Sequence, residues 1–94
     1  MTYVEMYEAL PREVQCLVED YSSNFNWADD CFETLLKICP ERTSSIMALA
    51  EAYARYYHQQ MIAEDRLKEL GYSDKEITRL GYGFQLKYRK DDTL

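Results

Sequence analysis

The sequence predicts an all-α fold: a small helical bundle, one domain over residues 1–94. Three short helices pack on one long central helix at about 45–70, and a short C-terminal helix or extended tail follows. Three observations predict it. Ile46, Leu49, Tyr53, Tyr56, Gln60, Ala63, Leu67 and Leu70 recur at alternating intervals of three and four, the heptad seam of a helix packed lengthwise on another. Elsewhere, shorter apolar stripes begin at capping residues and stop at turn residues. With 2 Pro and 3 Gly in 94 residues, little interrupts long helices.

In chain order, Thr2 and Glu5 form a capping box for a first helix with Tyr3, Met6, Tyr7 and Leu10 on one face. Pro11 closes that helix and suits the first turn of the next, where Val14, Leu17, Val18 and Tyr21 make a stripe. Ser22-Ser23-Asn24 predicts a turn. Asn26 then caps a third helix, placing Asp29 and Asp30 at the positive end of its dipole, with Ala28, Phe32, Leu35, Leu36 and Cys39 facing inward until Pro40 stops it.

Thr43 to Ser45 offer caps for the long helix, which would run roughly 39 Å at 1.5 Å per residue. Beside its seam lies a second stripe, Met47, Ala50, Ala54, Tyr57 and Met61. The opening segment, residues 46–54, is therefore apolar almost all round, which predicts burial on several sides. Gln60 within the seam is the kind of polar residue that sets register between paired helices, so either the same chain covers the seam or a second copy does, as a homodimer. Gly71 stands as a C-terminal glycine cap, and Ser73 with Glu76 opens a last helix that buries Ile77 and Leu80. Over residues 82–89 two periods compete. Ile77, Leu80, Phe84 and Tyr88 fit a helical face, while Tyr82, Phe84, Leu86 and Tyr88 alternate as a strand would.

The net charge of −6 is unevenly placed: residues 1–65 hold 12 acids against 4 bases, and residues 66–94 hold 5 against 7. An acidic surface favours solubility and, where it is a site, a basic partner. Cys16, Cys31 and Cys39 are odd in number and lack paired spacing. Met-Thr-Tyr-Val-Glu has neither the basic start nor the apolar run of a secretory signal, and no apolar stretch is of bilayer length. The expectation is a cytoplasmic protein with reduced thiols and no membrane association. His58 is the single histidine, and no nucleophile–base pair, glycine-rich phosphate loop or metal-ligand spacing is present. These absences predict a non-enzymatic chain with no catalytic residue, no cofactor and no metal site.

Gly71-Tyr72-Ser73-Asp74-Lys75-Glu76-Ile77-Thr78-Arg79-Leu80-Gly81 resembles the first helix and turn of the helix-turn-helix, a DNA-binding motif. The resemblance implies a small DNA-binding regulator using residues 71–90, with Gln85, Lys87, Arg89 and Lys90 toward the duplex. Tyr-Gly-Phe after Gly81 departs from a recognition helix, and the overall acidity opposes phosphate contacts. The aromatic content favours a protein partner instead. Nine Tyr, three Phe and one Trp exceed what so small a core encloses, and tyrosine is enriched where proteins meet. Tyr72, Tyr82, Phe84 and Tyr88 crowd one terminal region and are the first candidates for partner binding. The acids Asp29, Asp30 and Glu33 are the second. The functional expectation is a small acidic protein that binds another macromolecule as an inhibitor, adaptor or regulator. That type is frequent among viral and mobile-element factors that block a host defence or a host enzyme.

Overall fold

A computed structural model describes the backbone of residues 2–92 and the side chains of residues 2–88. Four helices make it up: α1 (Tyr3–Glu8), α2 (Arg12–Lys37), α3 (Thr43–Glu69) and α4 (Asp74–Asp92), with no strand among the described residues. In place of three short helices on one long one, α2 and α3 are of near-equal length, 26 and 27 residues.

The turn expected at Ser22-Ser23-Asn24 does not form. No Gly or Pro falls between Arg12 and Lys37, and two of the three expected turn residues find a partner that suits a helix. Asn24 donates from its side chain to the carbonyl of Asp20 at 2.7 Å. Ser22, buried at the crossing with α4, accepts from Gln85 Nε2 at 2.9 Å. Satisfied within the helix, these groups no longer compete with it. Asp29 and Asp30 consequently lie in the middle of α2 rather than at a helix start, so the helix dipole does not account for them.

Local signals elsewhere are realised. Glu5 N–H donates to Thr2 Oγ1 at 3.1 Å. Ser73 and Glu76 exchange reciprocal bonds, backbone N–H to side-chain oxygen, both 3.2 Å. Gly71, at φ 100°, ends α3 in the left-handed region, with Tyr72 N–H donating to Leu67 and Gly71 N–H to Lys68, the pattern of a Schellman cap. The expected caps Thr43 to Ser45 are unused: α3 begins at Thr43 without a side-chain cap. Gln15 draws α1 onto α2 by donating to the carbonyls of Tyr7, Glu8 and Leu10 at 3.2–3.3 Å, at and just past the helix C-terminus, where intrahelical donors run out.

The antiparallel α2–α3 hairpin is the backbone of the molecule. Ile46, Leu49, Tyr53, Tyr56 and Gln60 are half-buried, and Ala63 and Leu67 buried, along the seam read from the sequence. Trp27 meets Tyr56, and Phe32 meets Tyr53, at ring separations of 5.5 and 6.1 Å. The seam is thus taken within the chain, by α2. Leu70, just past the end of α3, is exposed.

The core lies at one end of this hairpin. Tyr7, Val14, Val18, Leu67, Ile77 and Leu80 are buried together, with Met6, Leu10, Leu17, Tyr21, Tyr72 and Phe84 packed around them. Residues 82–89 belong to α4, so the helical period prevails there over the strand period. The glycine at 83 has a packing use in this helix: the backbone of Tyr3 passes directly over it, where a side chain would stand. The radius of gyration, 15.4 Å, exceeds the roughly 12 Å of an equally long compact chain. The excess is the hairpin's far end, which projects beyond the core.

Burial raises the pKa of two of the core tyrosines above the ordinary 10.0. For Tyr7 the dominant cause is loss of water around the phenol, with Tyr88 adding; for Tyr21 it is the same loss, reinforced by Glu64 and Asp74. The folded chain therefore holds these protons at a pH where the unfolded chain releases them. Their contribution to stability is complete below about pH 10 and falls as pH rises beyond it. A phenolate absorbance titration should show a late component that Tyr7→Phe and Tyr21→Phe remove. If neither substitution removes one, these rings are more solvated than the packing indicates.

Candidate functional site

No residue from Asp29 to Ile62 is fully buried. This arm comprises the last turns of α2, the connection, and most of α3. Half-buried seam residues join its two helices, but none of the described residues covers the sides. A hairpin of two helices with only a seam between them presents two broad faces, and the sequence decides what each displays.

One face is apolar. On α2, Phe25, Phe32 and Leu36 follow one another at intervals of seven and four, on one stripe, and are 46%, 49% and 72% exposed. On α3, Met47, Ala50, Ala54 and Tyr57 are exposed along the second stripe seen in the sequence, and Met61 is half-buried. Between the helices runs a groove of about 200 Å³, lined by Phe25, Ala28, Asp29, Phe32, Tyr53, Tyr57 and Gln60. The small Ala28 forms its floor, and aromatic rings form its walls. Tyr53 stacks on Tyr57 with centroids 6.0 Å apart. Phe25 also borders a second groove, about 190 Å³, where Tyr21, Asn26, Tyr82 and Gln85 stand between α2 and α4. The apolar face thus continues from the arm to the core end.

Phe32 and Leu36 were expected inward. A separate third helix could have turned them toward the core. Within one continuous α2, Ala28 and Leu35 take the inner side, and Phe32 and Leu36 point out. The expectation of burial on several sides of residues 46–54 is corrected likewise: Ile46, Leu49, Ala52 and Tyr53 are half-buried and the others exposed.

The sequence-derived candidates separate. Tyr72 packs against the core, and Phe84 meets Tyr7 edge-on at 5.6 Å. Tyr82 is exposed and stacks on Tyr3 at 6.4 Å, while Tyr88 is exposed beside Phe84 at 4.8 Å. Asp29, Asp30 and Glu33 are exposed on the arm, and Asp29 alone of the seven lies within the aromatic groove. The four aromatic candidates and the three acids do not form one cluster. Phe25, Phe32 and Tyr57, which the site reading passed over, line one groove together, and Leu36 and Met47 are exposed on the stripes that run on from Phe32 and Tyr57. The signal for them was present: α3 carries more apolar stripe than one neighbouring helix can cover.

Other chemistry is sparse. His58 is exposed, Cys16 and Cys39 are exposed free thiols, and Cys31 is half-buried. Among the described residues no group of three His, Cys, Asp or Glu is placed to hold a metal ion, and no helix is long and apolar enough to cross a membrane. α4 continues through Gly81 and Gly83 without interruption, so the turn that the helix-turn-helix resemblance places at Gly81 is absent. Lys87 is engaged within the chain, 4.0 Å from Glu8 and 5.7 Å from the Tyr7 ring centroid. The side chains of Arg89 and Lys90 lie outside the described residues. Comparison with protein-family models, characterised proteins and solved structures found no match to this chain.

Proposed function

We propose that this is a non-enzymatic protein that acts by binding another protein, as an inhibitor, adaptor or regulator, and that the arm is its contact element. The observation that carries the reading is the apolar face itself. Phe32, Leu36, Met47 and Tyr57 are exposed on an arm in which residues 29–62 include no fully buried position, and Phe25 carries the same groove on toward the core end. Large exposed apolar patches mark sites of association, and aromatic and methionine side chains are enriched at the centres of interfaces. The core end supplies stability, and the projecting arm supplies reach. A regulator of this kind requires no catalytic group, only a rigid surface.

Leu36→Ser with Met47→Ser tests this. Both side chains are mostly exposed, 72% and 61%, so the pair should leave helicity and folding intact. Loss of interface anchors of this size weakens binding roughly thirtyfold or more. Capture from the native host should then recover a protein with the wild-type chain and lose it with the variant. A variant that captures the same protein as well as wild type does removes the arm from the function.

A further inference from the structure

We infer that the arm groove receives an amphipathic helix of another protein, one that presents a basic residue to Asp29. The inference rests on the protein-binding reading above and adds the chemistry of what is bound. Two adjacent helices with a small residue between them form a trough in which a third helix packs at ordinary helix–helix distance, apolar side down. Here Ala28 provides the floor, while Phe25, Phe32 and Tyr57 provide the walls. Charge selects among occupants. Asp29 lines the trough, and Glu33 lies one turn further along the same helix. None of the ion pairs among the described residues involves either acid. An acid enclosed in an interface without a counter-charge is strongly unfavourable, so the occupant must bring a cation. A second copy would bring the same acids to the same trough. Nucleic acid and an anionic lipid surface are both repelled by it.

The probes are two model peptides of about 20 residues, long enough to hold a helix. Each has the same leucine stripe, flanked by lysine in one and by glutamate in the other. They are titrated into the full isotope-labelled chain and followed by amide chemical shifts. The lysine peptide should perturb residues lining the trough and bind at least tenfold tighter than the glutamate peptide. Asp29→Lys with Glu33→Lys should invert that preference, and Asp29→Asn with Glu33→Gln should abolish it. Glu51→Lys with Glu69→Lys, equal in charge but placed elsewhere on α3, should leave it in place. If both peptides occupy the trough equally, the charge selection is wrong while the protein-binding reading stands. Should the Glu51 and Glu69 variant lose the preference as fully as the Asp29 and Glu33 variant, attraction is only to net charge, and the inference falls. Trough shifts that grow with protein concentration alone would make a second copy the occupant and overturn it. Shifts confined to other surfaces would remove both the inference and the reading.

Discussion

Gly83→Ala should destabilise the protein by about 3 kcal/mol, the upper end for overpacking a tight contact, although it places a better helix former inside a helix. The added methyl group would overlap the backbone carbonyl of Tyr3 and lie 3.1 Å from Tyr7 Cβ. A backbone obstacle cannot rotate away as a side chain can, so α1 must lift. With it goes Tyr7, a side chain of α1 buried completely in the core. The melting temperature should fall by on the order of 15 °C. Gly81→Ala, two residues earlier in the same helix, meets only the edge of the Tyr21 ring, Cε1 at 3.5 Å and Cδ1 at 3.7 Å, ordinary contacts. There the intrinsic preference of helices for alanine should prevail and raise stability by up to about 1 kcal/mol. Thermal melts of the two variants should therefore move in opposite directions. Movement in the same direction would mean that α1 does not rest on α4 as described.

The second large effect separates the core end from the arm. Leu67→Ala removes a wholly buried side chain from the main cluster and should cost about 2–5 kcal/mol, a large share of the roughly 5–15 available. Leu36→Ala removes a side chain of equal size that is 72% exposed and should change stability by no more than about 0.5 kcal/mol. Identical chemistry at two leucines should thus give a stability loss in one case and a binding loss in the other. Denaturant midpoints measured on both variants check this. Comparable losses at the two positions would show that the arm face is covered in the free protein.

The all-helical character of the fold was legible because helix starts and stops are local. The Thr2–Glu5 and Ser73–Glu76 boxes and the Gly71 cap each depend on residues within a few positions of one another. The α3 seam was legible for a related reason, since its period is a property of one helix. The break at Ser22-Ser23-Asn24 was misread because those residues favour turns only while their side chains lack partners. Gln85, 63 positions away, supplies one to Ser22, and no local rule registers it. The same misreading shortened α2, which turned Phe32 and Leu36 inward and explained Asp29 and Asp30 as dipole partners. The aromatic candidates at the C-terminus divided for another long-range reason. Phe84 and Tyr72 face the core because α1 and α2 happen to meet α4 there, while Tyr82 and Tyr88 face outward. Asp29 was legible as an acid of interest but not as part of an aromatic groove, because Tyr53 and Tyr57 reach it only across the hairpin.

Site-specific photocrosslinking tests most directly whether the arm's apolar face is the contact surface. A benzophenone amino acid would replace Leu36 or Met47 on that face, or Ile62 or Lys75 away from it, in the full chain expressed in its native host. All four positions are exposed, so substitution should leave each protein folded, and circular dichroism verifies that it does. A discrete adduct with another protein is expected from positions 36 and 47, lost when Phe25 and Phe32 are changed to Ser, and none from positions 62 and 75. Adducts from position 62 or 75 without any from 36 or 47, or adducts from the arm that contain only a second copy of this chain, would contradict it.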